Sequence, residues 1–357
     1  MVFITGPRQV GKTWIAKQSI DGFKNTIYLN YDNYDDRKII TDKSWLPDTE
    51  YLILDELHKM PDWKTFIKGV YDTRNENLKI IVTGSARLDA FKQTGESLAG
   101  RYFRHRLMPI TPSELKQTGQ TVDIDRLLEY GGFPEPYLSI KPDDAMRWRQ
   151  QYIEGLIRDD ILDFERIHDI RAIKLMLDLL RRRAGSPISY SSIAEDVHIS
   201  PNSVKKYIEI LEALFIIFRI TPWSKNIARS LIKEPKIYFF DTGLIIGDDG
   251  IRFENLAAVS LYKHACGITD YLGRETSLQY IRTKDGKEVD FCLVDQDGPI
   301  TMIECKFSDS KPSPNLVYFH DRFSIKGVQL VYNLRHPKLD RGIEIHSAKE
   351  YLGNLEF

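Results

Sequence analysis

The sequence predicts an α/β protein in three parts: a parallel-sheet domain at 1–135, a helical middle region at 136–245 and a second α/β domain at 246–357. Three observations predict this fold class. An apolar strand near the N-terminus runs into a glycine-flanked turn and then a helix. Residues 143–183 are rich in helix formers and contain no proline. Residues 288–307 alternate between apolar and polar side chains around a turn, as two paired strands do.

The first element is a strand at residues 2–5 followed by the pattern G-x-x-x-x-G-K-[ST], which is a P-loop. Gly6 and Gly11 allow a backbone conformation in which successive N–H groups point at a polyphosphate. Lys12 is expected to reach the β and γ phosphates, and the Thr13 hydroxyl is expected to bind Mg²⁺. The rest of the loop, expected to contact ATP as well, is Pro7, Arg8, Gln9 and Val10. The alternative is a ligand-free turn, which the flanking strand and helix disfavour.

Two further apolar strands of this domain end in polar residues. Residues 51–54 lead into Asp55 and Glu56, a Walker B signature. Because the carboxyl end of such a strand lies beside the P-loop, Asp55 is expected to hold Mg²⁺ through water, and Glu56 to polarise the attacking water. Residues 78–82 lead into Thr83 and Ser85, which are expected to sense the γ phosphate. The alternative is that the acidic pair caps the next helix.

These motifs, together with residues 97–101 and 131–135, resemble the AAA-type ATPases of archaea and bacteria that carry a C-terminal domain of unknown function. The resemblance runs over almost the whole chain. It implies ATP binding and hydrolysis, with Lys12 and Glu56 as catalytic residues, and association of copies through the AAA-type domain. Arg101 or Arg104 would then serve as an arginine finger for a neighbouring subunit, with a surface ion pair as the alternative for each.

The middle region predicts two short helices starting near Ser189 and Ser200, with Ser200 as N-cap and Pro201 in the first turn. With the apolar segments 214–217 and 236–240, they resemble a winged helix-turn-helix. Basic residues outnumber acidic ones between 171 and 240, which favours contact with nucleic-acid phosphates, DNA above all. A protein-docking or structural winged helix is the alternative. The second helix is predicted to present Asn202, Ser203, Lys205 and Lys206.

The C-terminal hairpin places Asp290 on one strand and Glu304 with Lys306 on the other, all on one face if the strands pair in register. This arrangement resembles the PD-(D/E)XK nucleases. The resemblance implies that Asp290 and Glu304 hold Mg²⁺ or Mn²⁺, joined by Glu254 from an earlier helix, while Lys306 assists the attacking water. Arg282 would contact a phosphate. The alternatives are an amphipathic hairpin whose polar face meets water and a nuclease fold retained for binding alone.

Composition limits the function further. A net charge of -1 excludes a uniformly cationic nucleic-acid binder but leaves local basic patches open. Three cysteines without metal-type spacing indicate a reducing compartment. No apolar run approaches the roughly 20 residues of a membrane helix, so we expect a cytoplasmic protein without membrane contact. The expected function is ATP-dependent action on nucleic acid with metal-dependent cleavage. The alternative is a nucleotide-controlled binding switch or scaffold.

Overall fold

The computed structural model describes residues 1–84, 98–161, 169–224, 234–308 and 311–357, with the backbone alone at 159–161. These residues form two compact units, 1–108 with 213–215, and 109–212 with 216–357. The predicted three-domain division has other boundaries and stays a prediction. Among the described residues, no helix combines the length and the apolar composition that a bilayer crossing needs.

The first unit is built on a five-stranded sheet with the order β2-β3-β4-β1-β5. Every neighbouring pair in it is parallel, which confirms the parallel sheet predicted for this region. The central strands carry continuous apolar runs because both faces of the sheet are covered. The strands are β1 Val2–Thr5, β2 Thr26–Asn30, β3 Tyr51–Asp55, β4 Lys79–Thr83 and β5 Phe103–Arg106.

Short helices connect these strands: α1 Lys12–Gln18, α2 Tyr34–Asp42 and α3 Trp63–Asp72. The Asn33 side chain caps α2 by accepting from the backbone N–H groups of Asp35 and Asp36. A single 3₁₀ turn, Leu57–Lys59, follows β3 where the sequence alternative placed a capped helix. The acidic pair at the end of β3 therefore precedes a turn and not a regular helix.

The second unit begins with helices and a two-stranded sheet. Its helices are α4 Pro112–Gln117, α5 Ile124–Tyr130, α6 Pro134–Leu138, α7 Pro142–Gly155, a π-helical turn Leu156–Ile161, α8 Ile170–Arg182, α9 Tyr190–Val197 and α10 Pro201–Ala213. The side chains of Ser189 and Ser200 accept from backbone N–H groups three residues on. The predicted N-cap at Ser200 is therefore present, and Ser189 caps α9 in the same way. Strands β6 Ile217–Ile220 and β7 Lys236–Phe239 then pair antiparallel.

The rest of this unit is a six-stranded mixed sheet with the order β12-β13-β11-β10-β9-β8. The long helix α11 Asp249–Leu272 precedes it. The predicted hairpin is present, since β9 and β10 pair antiparallel with Phe291 opposite Ile303. Its remaining elements are β8 Ser277–Arg282, β9 Glu288–Val294, β10 Pro299–Lys306, α12 Pro314–Phe323, β11 Lys326–Val331, β12 Lys338–Asp340, β13 Ile343–Ser347 and α13 Ala348–Gly353.

Candidate functional site

The loop between β1 and α1 depends on its two glycines for different reasons. Gly6 has φ +145°, and a Cβ on it would lie 2.0 Å from the Leu107 carbonyl oxygen. Gly11 has φ +100°, with open space where a side chain would stand. Gln9, between them, also takes a left-handed conformation at φ 58°. The loop is therefore held in a shape that residues with a Cβ rarely adopt.

The Lys12 side chain folds back onto this loop. Its ammonium donates to the carbonyl oxygens of Gly6, at 3.1 Å, and Pro7, at 2.5 Å. The residue is 7% exposed. Burial lowers the pKa of Lys12 to about 8, although the carboxylates of Glu56 and Asp55 act in the opposite direction. Among the described residues its hydrogen-bond partners are these two neutral carbonyls. A buried cation in such surroundings is suited to receive an anion.

Asp55, at the end of β3, collects hydroxyl donors from three elements. Its Oδ2 atom accepts from Thr13 Oγ1 at 2.8 Å and from Tyr28 Oη at 2.7 Å. Its Oδ1 atom accepts from the Thr83 hydroxyl. The register of the parallel strands explains the meeting, since Asp55 lies directly opposite Thr83. Burial raises the pKa of Tyr28 to about 12, and the bond to Asp55 adds to that effect, so Tyr28 remains a donor.

Glu56 follows in a left-handed conformation, with φ 56°. Its backbone N–H donates to the Thr83 carbonyl. Its carboxylate Oε2 lies 3.3 Å from the Lys59 ammonium and 3.7 Å from His58 Nε2. Lys59 also binds Asp32 at 2.5 Å. The predicted base is thus held in an ion pair, directly after Asp55 in the chain.

Two other predictions for this unit have different outcomes, the second sensor residue and the arginine finger. Ser85, the second predicted sensor residue, lies outside the described residues. Arg101 forms an ion pair with Asp72, Nε to Oδ1 at 2.8 Å, which is the alternative that the sequence left open for it. Arg104 lies within β5.

The residues around Asp55 fit a hydrated Mg²⁺ carried with ATP. Mg²⁺ prefers oxygen ligands and keeps several waters, and Thr13 with Asp55 supplies a hydroxyl and a carboxylate 2.8 Å apart. Lys12, the first residue of α1, supplies the positive charge that a phosphate needs. The chain itself brings together Lys12, Thr13, Asp55, Glu56 and Thr83.

In the second unit, Asp290 and Glu304 also meet as expected. The Asp290 backbone N–H donates to Glu304 Oε2 at 3.4 Å, and Asp290 Oδ2 accepts from the Cys305 N–H at 3.0 Å. Glu304 Oε1 lies 2.9 Å from the Lys306 ammonium. The hairpin register therefore unites the three residues that the sequence predicted on one face.

A residue that the sequence did not predict stands among them. Lys236, on β7, is 2% exposed. Its ammonium lies 2.7 Å from Glu288 Oε1, 3.8 Å from Glu254 Oε1 and 3.8 Å from Asp290 Oδ1. We call Glu254, Glu288, Asp290 and Glu304 the acidic cluster. Lys236 belongs to the basic segment 171–240, and its burial removes it from the cations available to nucleic acid.

The negative charges of the acidic cluster act on one another. Burial raises the pKa of Glu254 and of Glu304 well above the ordinary glutamate value, and the charge of Asp290 adds to both shifts. Tyr238 donates to Glu254 Oε1 at 2.7 Å. Among the described residues, no three His, Cys, Asp or Glu side chains are arranged to hold a metal ion. As arranged, the cluster does not fit the divalent ion that the nuclease resemblance implies.

Helix α10 has one buried and one exposed face. Val204, Tyr207 and Ile208 are buried, whereas Asn202, Lys205 and Lys206 are exposed. Lys205 Nζ lies 4.0 Å from Glu209, one turn away. Two other cations of the basic segment form internal ion pairs, Arg219 with Glu212 at 2.5 Å and Arg183 with Asp196 at 2.8 Å. Lys225, Arg229 and Lys233 lie outside the described residues.

Sequence reasoning missed Tyr28 and Lys236. Tyr28 lies on the strand next to Asp55, and the alternation of β2 was the available signal, since Tyr28 and Asn30 share one face. Lys236 stands at the start of an apolar run, a position where a charged residue usually marks the exposed end of a strand. The available hint of its burial was that the residues after it, 237–240, are all apolar or aromatic.

Comparison with known families agrees with the parallel-sheet fold and the P-loop of the first unit. Residues 1–116 match the AAA domain family, and residues 121–251 match a family described as a domain of unknown function, DUF8612. The AAA-type P-loop part of the resemblance is confirmed, and the match supports ATP binding and hydrolysis. The second match lies on the middle region. The nuclease-like identity of residues 246–357 stays a prediction.

Individual relatives are distant. An uncharacterized protein of Mycobacterium tuberculosis is 25% identical over 246 residues, 69% of this chain and 55% of that protein. The chain thus spans about half the length of this relative. An uncharacterized protein of Haemophilus influenzae is 21% identical, with 92% of each chain covered. Among solved structures, a Walker-type ATPase of Pyrococcus abyssi superposes with a TM-score of 0.45 at 15% identity, covering 68% of this chain and 89% of that one.

Proposed function

We propose that this protein binds and hydrolyses ATP and uses the cycle to act on nucleic acid, with DNA favoured. The convergence of the Thr13 and Thr83 hydroxyls on the Asp55 carboxylate, beside the buried Lys12 ammonium, carries the ATPase part of the proposal. It is the arrangement that a Mg²⁺-bound triphosphate requires. The match to the AAA domain family supports it independently.

The roles of the chain's own residues follow from their positions. When ATP binds, Lys12 leaves the Gly6 and Pro7 carbonyls and pairs with phosphate oxygens. The buried ammonium then has a partner of opposite charge. Thr13 and Asp55 would hold Mg²⁺, which neutralises charge on the phosphates. Glu56, once released from Lys59, accepts a proton from the attacking water.

The test is ATP turnover by the full chain carrying Glu56→Gln. We expect this variant to bind ATP and to lose hydrolysis, since only water activation is removed. Glu76→Gln is the matched control, because Glu76 is an exposed glutamate of the same unit. Equal turnover by wild type and Glu56→Gln would overturn the assignment of the base.

The nucleic-acid part rests on α8, α9, α10 and the β6–β7 pair, which we propose form a winged helix-turn-helix. The exposed Asn202, Lys205 and Lys206 on α10 are the side chains offered to phosphates and base edges. A protein-docking role is the alternative. Binding to an oligonucleotide by the full chain decides between them.

For the C-terminal domain we propose a nuclease-like fold. The adjacency of Asp290, Glu304 and Lys306 supports metal-dependent cleavage as its activity. The Lys236 ammonium within the acidic cluster favours the other candidate, a domain that recognises its partner without cutting. We propose that this domain recognises its partner without cutting. The metal and catalytic roles of Glu254, Asp290, Glu304 and Lys306 remain predictions, and incubation of plasmid with the full chain and Mg²⁺ or Mn²⁺, with Asp290→Ala as control, tests them.

A further inference from the structure

Lys236 is the central cation of the acidic cluster. Its ammonium lies within 4 Å of carboxylate oxygens from three residues, Glu254 on α11 and Glu288 and Asp290 on β9. Arg282 is also near Glu288, but its Nη1 atom is 3.5 Å away and its side chain is 41% exposed. Lys306, beside Glu304, is 38% exposed. Lys236, at 2%, is the buried cation of this set.

The backbone fixes Lys236 in this position. It pairs with Ile220 across the β6–β7 ladder, and a second bridge joins it to Pro187. The Tyr280 ring lies 5.4 Å from the ammonium and covers another side of it. The strand is thus paired on both edges at Lys236, which fixes the position of its backbone, and the residue is almost fully buried. Its charge therefore depends on the carboxylates around it.

We infer that the Lys236 ammonium is the resident cation of the acidic cluster, and that a divalent metal binds there only after this ammonium has been removed. The inference rests on the proposed function only in calling the domain nuclease-like. It assigns Lys236 as the residue that determines whether this domain takes up a metal.

The partners of the carboxylates explain the competition. Glu288 Oε1 is held by Lys236 at 2.7 Å, and Glu254 Oε1 is held by the Tyr238 hydroxyl at 2.7 Å. Asp290 Oδ2 already accepts from the Cys305 N–H, and its other oxygen, Oδ1, faces Lys236 at 3.8 Å. A metal at Oδ1 would stand against a buried ammonium, and two cations repel strongly where water is excluded.

The experiment is a calorimetric titration of the nucleotide-free full chain with Mn²⁺ alone. Wild type and Asp290→Ala should give the same isotherm, since the cluster of the wild type takes no metal. Lys236→Met should gain a Mn²⁺ site that binds roughly tenfold or more tightly than any site in wild type, because the competing charge is gone. Adding Asp290→Ala to Lys236→Met should remove that site.

Two controls separate charge from disturbance of the fold. Lys263→Met removes another buried lysine, whose ammonium lies 2.5 Å from Glu114 and not beside the acidic cluster. This variant should gain no Mn²⁺ site. Lys236→Arg keeps the cation and should also gain none. A wild-type Mn²⁺ site that Asp290→Ala abolishes would overturn the inference even if Lys236→Met does not fold. So would a folded Lys236→Met variant, checked by circular dichroism, without a new site.

ATP turnover measured on the same samples keeps the two proposals apart. The P-loop residues are unchanged in every variant, so turnover should equal that of wild type throughout. Absence of turnover in wild type would remove the ATPase proposal and leave the Lys236 result standing. A wild-type Mn²⁺ site that depends on Asp290, with normal turnover, would remove the Lys236 inference and leave the ATPase proposal standing.

Discussion

Gly6 and Gly11 show how two glycines of one loop carry different constraints. A Cβ at Gly6 meets the Leu107 carbonyl, whereas at Gly11 it meets nothing. Gly11→Ala should therefore cost only backbone strain, about 1–2 kcal/mol. Gly6→Ala adds a steric overlap that β1 or the chain at Leu107 must move to relieve. We expect urea unfolding of the full chain to show the larger loss for Gly6→Ala, and equal losses would contradict the packing at Leu107.

Lys12 and Lys17 lie on the same helix in different surroundings. Lys12 is buried on the P-loop, while Lys17 lies 3.9 Å from the centre of the Tyr28 ring and is exposed. Lys12→Ala should weaken ATP binding by about a hundredfold or more, since it removes a charge-assisted bond. Lys17→Ala should leave binding near the wild-type value. Titration with a fluorescent ATP analogue compares them, and similar losses in both would place the phosphates elsewhere.

At the scale of single elements, α11 depends on its N-cap. The Asp248 side chain accepts from the Ile251 N–H at 2.9 Å. Asp248→Ala should reduce the free energy of unfolding by about 1 kcal/mol, because an N–H of the first turn loses its partner. Asp248→Asn keeps a capping oxygen and should be nearly neutral. Chemical denaturation of both variants tests this, and an equal loss in Asp248→Asn would point to charge instead of capping.

The same helix carries a pH-dependent contribution. Burial lowers the pKa of Lys263 below its ordinary value of 10.5, and Glu114 offsets this only in part. Between the lowered pKa and 10.5 the unfolded chain binds more protons than the folded one, so rising pH favours folding. The stability of wild type relative to Lys263→Met should therefore increase over this alkaline range. Urea unfolding at several pH values measures it, with the exposed Lys338→Met as a control that should show no trend.

Local sequence patterns predicted single elements and the contacts between adjacent ones, but not the contacts between elements far apart in the chain. The apolar run 51–54 and the P-loop predicted the meeting of Thr13 and Asp55, because parallel strands end at one edge of a sheet. The hairpin turn likewise fixed Asp290 beside Glu304. Lys236 was different, since its approach to β9 comes from the packing of elements about fifty residues apart, which no periodicity encodes. The order of strands β11, β12 and β13 was beyond local patterns for the same reason.

At the scale of the whole molecule, charge is balanced overall but uneven along the chain. If α10 contacts DNA phosphates, the affinity of the full chain for DNA should fall steeply as salt rises. Lys205→Ala with Lys206→Ala should flatten the slope of log affinity against log salt by roughly one unit per lost contact. Lys338→Ala with Lys349→Ala, two exposed lysines elsewhere, should leave it unchanged. Salt-insensitive binding would favour a docking role for this region.

The outer edge of β7 has a consequence for association between copies of the chain. Asn255 donates from Nδ2 to the Phe239 carbonyl at 2.9 Å and accepts from the Phe239 N–H at 2.8 Å, as a neighbouring strand would. The Gly185 N–H occupies the Ile237 carbonyl in the same way. An open strand edge recruits other chains, and filling it from within prevents that pairing. Asn255→Leu would keep the volume but expose the edge, so its first symptom should be intermolecular aggregation on gentle warming, before any loss of secondary structure.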